Sequence, residues 1–196
     1  MEIQLKEGNP LPAFFPALQQ GVEVPVPGPR SLESLLTKEW GLDREFAATK
    51  IGTVFLNGTP VDDLASVWVG EGDVVALSGP MPGLAGAILR RGSPLAGLRR
   101  GGRPESRGMP SGEPNGPIHI HVKLFNSLIG DMGPRLIQKG VILDGQAALS
   151  VVSALGQAKP WSSHGVLVNG QAMDLDRLLR ALREGAPRRV RFVWSP

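Results

Sequence analysis

His119 and His121 stand two residues apart in the alternating stretch Ile118-His119-Ile120-His121-Val122. On a strand, positions i and i+2 share a face, and two neutral imidazoles there are half of a zinc site, with His164 as the third histidine of the chain. The 196 residues contain no cysteine, and no carboxylate stands at ligand spacing, so no metal centre is expected. Alternation on a half-exposed face explains the pair equally well. The second chemical cluster is cationic: Arg177, Arg180, Arg183, Arg188, Arg189 and Arg191. Such a set suits phosphate, RNA or an acidic protein surface. No aromatic residue interleaves it, and Phe192 and Trp194 alternate onto the face opposite Arg191. A solvated face is the simpler reading, and nucleic acid is not an expected partner. Catalysis finds little support. There is no thiol, no Gly-x-Ser-x-Gly elbow and no glycine-rich phosphate loop after a strand, and Asp62-Asp63 reads as turn chemistry. Neither an enzyme nor a cofactor is expected.

The elements that would position these residues sit in a chain of mean hydropathy −0.02 with 41% hydrophobic residues, suited to a globular protein. No run is apolar enough to span a bilayer. The N-terminus lacks the basic and apolar regions of a signal peptide, so a cytoplasmic location is expected. Zero cysteines exclude disulfides and a persulfide on this chain. The net charge of +3 is uneven. Residues 1–79 carry 5 basic and 11 acidic side chains, residues 80–117 carry 6 and 2, and residues 118–196 carry 10 and 5. The acidic beginning and basic remainder are expected to attract each other, within the chain or by self-association.

Periodicity places strands at 2–6, 22–26, 51–56 and 74–77 and a helix over 32–40, with Ser31 as its cap and Gly41 past its end. The order restarts with strands at 118–124 and 141–143 and a helix from Gly145 to Leu155 capped by Asp144. A strand over 165–168, a helix of Leu175, Leu178, Leu179 and Leu182 capped by Asp174, and a strand over 190–194 complete it. Between the halves, 17 of residues 79–117 are Gly or Pro, and that stretch is expected to lie against a neighbour rather than fold alone.

The two halves register on Asn-Gly. Val54-Phe55-Leu56-Asn57-Gly58 returns as Val166-Leu167-Val168-Asn169-Gly170, an offset of 169 − 57 = 112. Asn-Gly between apolar runs signals a tight hairpin turn because both residues tolerate positive φ. Cap to Asn-Gly is 57 − 31 = 26 residues in one half and 169 − 144 = 25 in the other. The reading is α+β: two tandem β-grasp (ubiquitin-like) units, each a mixed sheet with one main helix. The expected boundaries are an acidic unit at 1–79, a Gly/Pro/Arg-rich linker at 80–117 and a basic unit at 118–196.

Val54 to Val61, with Asn57-Gly58, followed by Glu71-Gly72-Asp73-Val74-Val75-Ala76-Leu77, resembles the sulfur-carrier branch of the β-grasp: the small subunit of molybdopterin synthase and the thiamine-pathway sulfur carrier. The second half matches through Val168-Asn169-Gly170 and Glu184-Gly185 but has Ala186-Pro187-Arg188-Arg189 where Asp-Val is expected. The resemblance implies a C-terminal Gly-Gly whose carboxylate becomes an acyl-adenylate and then a thiocarboxylate. This sequence shows Trp194-Ser195-Pro196 instead, and an internal Pro80-Met81-Pro82-Gly83 after the first half. The expectation is a non-catalytic, sulfur-carrier-like binding or adaptor module. Its expected partner is a protein: an activating enzyme or a molybdenum- or tungsten-cofactor enzyme. Two alternatives stand beside it. Leu98-Arg99-Arg100-Gly101-Gly102 looks like a ubiquitin-type tail, so cleavage after Gly102 would free a carrier with Gly101-Gly102 at its end. The arginine cluster gives an RNA- or anion-binding module.

Overall fold

In chain order the elements are β1 (Glu2–Leu5), α1 (Leu11–Gln20), β2 (Val22–Val26), β3 (Arg30–Ser31), α2 (Leu32–Ser34) running into a π-helical turn (Leu35–Glu39), α3 (Arg44–Thr49), β4 (Thr53–Leu56), β5 (Thr59–Pro60), β6 (Trp68–Val69), β7 (Val74–Ser78), α4 (Gly83–Leu89), a 3-10 turn (Pro94–Leu98) and β8 (Ile118–Phe125). There follow α5 (Leu128–Lys139), β9 (Val141–Leu143), α6 (Gly145–Ala158), β10 (Val166–Val168), β11 (Gln171–Ala172), α7 (Leu175–Gly185) and β12 (Val190–Trp194). This computed structural model describes residues 1–99, 116–158, 161–162, 165–185 and 187–196. Gly101, Gly102 and His164 lie outside the described residues. The fold is α+β, with seven α-helical segments among the described residues and mixed β-pairing. None of the described helices is long and apolar enough to cross a membrane.

The chain forms two compact units, and neither is a continuous half of the sequence. An end unit combines Met1–Val24 with Gly130–Pro196, and a middle unit spans Pro25–Ile129. The division therefore differs from the expected 1–79, 80–117 and 118–196. The cause is β1. It lies antiparallel to β10, with Ile3 opposite Val168, and parallel to β12, with Ile3 opposite Phe192. The strand that opens the chain is thus interior to a sheet ordered β11-β10-β1-β12-β9, and β2 joins β9 at Glu23 opposite Ile142. Ile3 and Leu5 are wholly excluded from solvent. The ladder continues past both ends of β1, through Arg191 N–H to Met1 O at 2.9 Å and Lys6 N–H to Gly165 O at 2.8 Å.

Helix α1 fills the stretch between the expected strands at 2–6 and 22–26, to which periodicity assigned no element. Prolines caused the misreading: Pro10 and Pro12 sit where a helix has no amide bond to lose, and only Pro16 lies inside. Phe14, Ala17 and Leu18 form its buried stripe, and the Phe14 ring meets Phe192 edge to face at 5.3 Å. Leu11 and Leu18 close on Gly133 of α5, where a Cβ would stand 2.6 Å and 3.0 Å from their methyl carbons. Asp144 caps α6 and Asp174 caps α7 as expected, accepting from Ala147 N–H and Arg177 N–H at 2.8 Å each.

In the middle unit, β4 pairs antiparallel with β5 and β7, and β7 pairs parallel with β8. Val54, Leu56, Val75, Leu77, Ile120, Val122 and Leu124 are the buried alternating set. Leu32, Leu35, Leu36 and Trp40 are buried along the one main helix expected here. Ser31 caps it, accepting from Ser34 N–H at 3.2 Å, and Gly41 follows with φ +66. The helix widens into a π turn, in which Trp40 N–H reaches Leu35 O at 3.0 Å.

Replacing Ile3 with Ala should destabilise the end unit by about 2–5 kcal/mol, the cost of a vacated core site. In hydrogen exchange, protection should fall in 166–168 and 190–194 while 53–56 and 74–78 keep theirs. Loss confined to 53–78 would place β1 in the wrong sheet.

Candidate interaction face

The Asn57-Gly58 turn anchors one end of the middle sheet. Asn57 and Gly58 have φ of +50 and +80, the left-handed values that a type I′ turn demands. The Asn57 side chain then knits the turn to β7. Its Oδ1 accepts from Val74 N–H and its Nδ2 donates to Asp73 Oδ1, both at 2.8 Å. Asp73 is 2% exposed, and its Oδ2 accepts from Gly70 N–H at 2.7 Å. A buried carboxylate without such donors would be costly, so the Glu71-Gly72-Asp73 turn and the Asn-Gly turn hold each other in place. The same end receives β8: His119 N–H donates to Glu71 Oε2 and His121 N–H to Asp73 O, each at 2.8 Å.

His119 is half-buried and His121 exposed on one face of β8, as alternation required. No group of three or more His, Cys, Asp or Glu side chains suited to a metal ion forms among the described residues.

That face is the outer side of the middle sheet. Thr53 and Phe55 on β4, Val74, Ala76 and Ser78 on β7, and His121, Lys123 and Phe125 on β8 share it by parity, with Phe55 opposite Ala76 and Ala76 opposite Lys123. It is covered unevenly. Thr53 and Ser78 are 1% and 5% exposed, whereas Phe125 is 37% exposed. The cover is the segment that follows β7. Met81 and Leu89 line an apolar groove of about 310 Å³ together with Phe55, Ala76 and Phe125.

Residues 80–99 were expected to be a draped linker, and they carry α4 and the 3-10 turn. Their fastening is polar. Asp62, read from sequence as turn chemistry, accepts from Arg99 Nη1 at 2.6 Å, from Arg99 Nη2 at 3.1 Å and from Gly92 N–H at 3.0 Å. Arg99 also donates to Ile88 O at 2.9 Å and Arg90 O at 2.7 Å. Arg91 donates from its backbone to Gly52 O at 3.0 Å and from Nη2 to Ala47 O at 2.5 Å, while its buried Nε has no hydrogen-bond partner among the described residues. The Arg99 hydrogen bond, chiefly, holds the Asp62 carboxyl below its ordinary value of 3.8, against the opposing effect of burial. Burial lowers the Arg91 guanidinium, and Asp62 opposes that shift. Asp62 is 46% exposed in the Arg99 pair, so solvent screening keeps the clasp to about 1 kcal/mol even with bidentate geometry.

The members of the arginine set differ in their partners. Arg189 pairs with Glu23 and Arg191 with Glu2, the latter at 2.9 Å. Arg177, Arg180 and Arg183 lie exposed along α7, and Arg188 is exposed beyond it. Part of the charge attraction expected between the ends of the chain is therefore satisfied inside the end unit. There the Gln4 amide, first, and Arg191 also hold the Glu2 carboxyl down, with burial opposing them. Sequence reasoning missed the clasp and the groove. The available signal was Phe55 and Phe125, large apolar residues at the outward positions of their strands. Compared with known proteins, the chain matches no protein family, no curated protein and no solved structure.

Two outcomes follow. Asn57→Ala removes two side-chain hydrogen bonds and leaves buried Asp73 short of a donor, so urea unfolding should show a loss of about 1–3 kcal/mol. The Asp62 clasp, whose folded pKa is depressed, is fully present above pH 3.8 and is lost as pH falls through its lower folded value. An acid titration followed by nuclear magnetic resonance should therefore show Arg99 side-chain signals constant from neutral pH to about 4, then moving.

Proposed function

We propose that the chain is a tandem β-grasp protein related to sulfur carriers, working as a non-catalytic binding or adaptor module in molybdenum- or tungsten-cofactor or sulfur-transfer metabolism. The outer face of the middle sheet receives its protein partner, an activating enzyme or a cofactor enzyme. Support for the repeat comes from matched turn geometry. Asn169 and Gly170 have φ of +48 and +83, close to the values at Asn57 and Gly58. Each hairpin closes through the same bond, Val61 N–H to Val54 O at 2.8 Å and Met173 N–H to Val166 O at 3.0 Å.

The observation that carries the non-catalytic reading is the fate of the chain after β7. A carrier needs a thin, free tail at this point. Here Gly79 and Pro80 are packed: a Cβ on Gly79 would meet Ser127 Oγ at 2.6 Å, and one on Gly52 would meet Pro80 at 2.9 Å. The alternative carrier, cleaved after Gly102, faces a limit of reach for as long as Arg99 stays fastened. Arg99 is fastened to Asp62, Ile88 and Arg90. A carboxylate at Gly102 would extend 102 − 99 = 3 residues beyond that point, about 10 Å when fully stretched.

The test combines two readouts on the full-length protein. With an activating enzyme, ATP and a sulfur donor, intact mass should show no replacement of oxygen by sulfur. Tagged protein in its host should retain a cofactor-pathway enzyme, and Phe125→Asp should weaken that complex about tenfold or more, since a charge would then have to be desolvated at the contact. A thiocarboxylate on a fragment ending at Gly102 would establish the carrier reading instead.

A further inference from the structure

We infer that residues 80–99 are a displaceable strap, an intramolecular occupant of the outer face of the middle sheet that opens while the sheet stays folded. Three independent features separate the strap from the body it covers.

The first is burial. In α4 only Gly86 is buried, and in the 3-10 turn nothing is. Leu84 and Leu98 are 66% and 62% exposed. The strands beneath bury every inward side chain. A segment with so little apolar area removed from water has a low free energy of local opening, whereas the strands open only with the core.

The second is the nature of the attachment. The strap is held by Arg99 on Asp62, by Gly92 N–H on Asp62 and by Arg91 on the backbone of Ala47 and Gly52. These are hydrogen bonds and one ion pair whose guanidinium is 10% exposed and whose carboxylate is 46% exposed, so water and salt reach it from the Asp62 side. The single carboxylate of Asp62 gathers most of them, so one side chain controls the fastening.

The third is the surface underneath. Met81 and Leu89 line one side of a groove whose other side is Phe55, Ala76 and Phe125, and the space between is not filled. Opening would uncover two neighbouring cross-strand rows, Thr53-Ser78-Phe125 and Phe55-Ala76-Lys123. The strap thereby lies on the face that the proposed function assigns to a partner, and a partner segment with an apolar side chain for the groove and an arginine for Asp62 would displace it by matching its contacts. The naming of the face as the receiving surface rests on that functional reading; the opening of the strap does not.

Hydrogen exchange read by mass spectrometry on the full-length protein tests the opening without any partner. After correction for intrinsic rates, amides of 84–99 should exchange at least about tenfold faster than those of β4 and β7. Asp62→Asn should raise exchange in 84–99 by about threefold or more and leave β4 and β7 unchanged. Arg99→Gln, and wild-type protein in high salt, should act in the same direction and keep the test decisive if one variant folds poorly. One common rate for strap and sheet, or an increase in both together, would overturn the inference. So would no change in the strap under any of the three perturbations. Failure here would leave the adaptor reading standing, and loss of partner binding with the strap still opening would remove only the adaptor reading.

Discussion

Ile3 and Leu5 lie with no exposed surface between two strands drawn from the other end of the chain, and that placement constrains everything else. A strand interior to a sheet cannot slip by one residue, because a slip would turn both apolar side chains out and both polar neighbours in. Burying two such side chains contributes about 1.5–3 kcal/mol each. Closing a long loop costs only about 0.6 kcal/mol more for each doubling of its length. Over the separation from residue 5 to residue 194 that cost reaches about 4–5 kcal/mol, of the same order as the burial of these two side chains, so the ladder and the rest of the core must supply the margin. The consequence is kinetic: the end unit assembles through contacts of high sequence separation, which form late.

Electrostatics then selects among arrangements more than it stabilises one. Glu2 stands directly opposite Arg191 in the parallel ladder, and Glu23 meets Arg189. Each pair is partly exposed and contributes at most about 1 kcal/mol. Their value lies in register, because a misaligned β1 would set its carboxylate away from the guanidinium. One acidic residue of the start and one basic residue of the end, Glu2 and Arg191, thus face each other across one ladder.

Local chemistry was legible in the sequence where one or two residues suffice to specify it. Ser31, Asp144 and Asp174 are caps, Asn57-Gly58 and Asn169-Gly170 are left-handed turns, and the alternating strands are where periodicity set them. What failed depended on partners distant in sequence. Alternation says that Ile3 and Leu5 face a core, and does not say whose. Helix α1 hid behind Pro10, Pro12 and Pro16, and α5 behind Gly130, Gly133 and Pro134. Their helicity comes from packing, as in the approach of Leu11 and Leu18 to Gly133, more than from propensity. The candidate face followed the same division. The outward positions of His119, His121 and Phe125 could be read from parity. The clasp could not, because Asp62 and Arg99 are 37 residues apart and each has a plausible local role as turn or tail.

In both units, a turn with positive φ sets a strand end against a neighbour that holds it through backbone and amide bonds. Asn57 serves β7, and Asn169 serves β1 by accepting from Glu2 N–H and donating to Glu2 O, both at 2.9 Å. The two turns share their geometry, while the strand that each one holds comes from a different place in the chain. Interstrand nuclear Overhauser effects measure that substitution most directly. The account predicts contacts from residues 2–5 to both 166–168 and 190–194. Contacts from residues 2–5 to β2 or β8 in their place would contradict it.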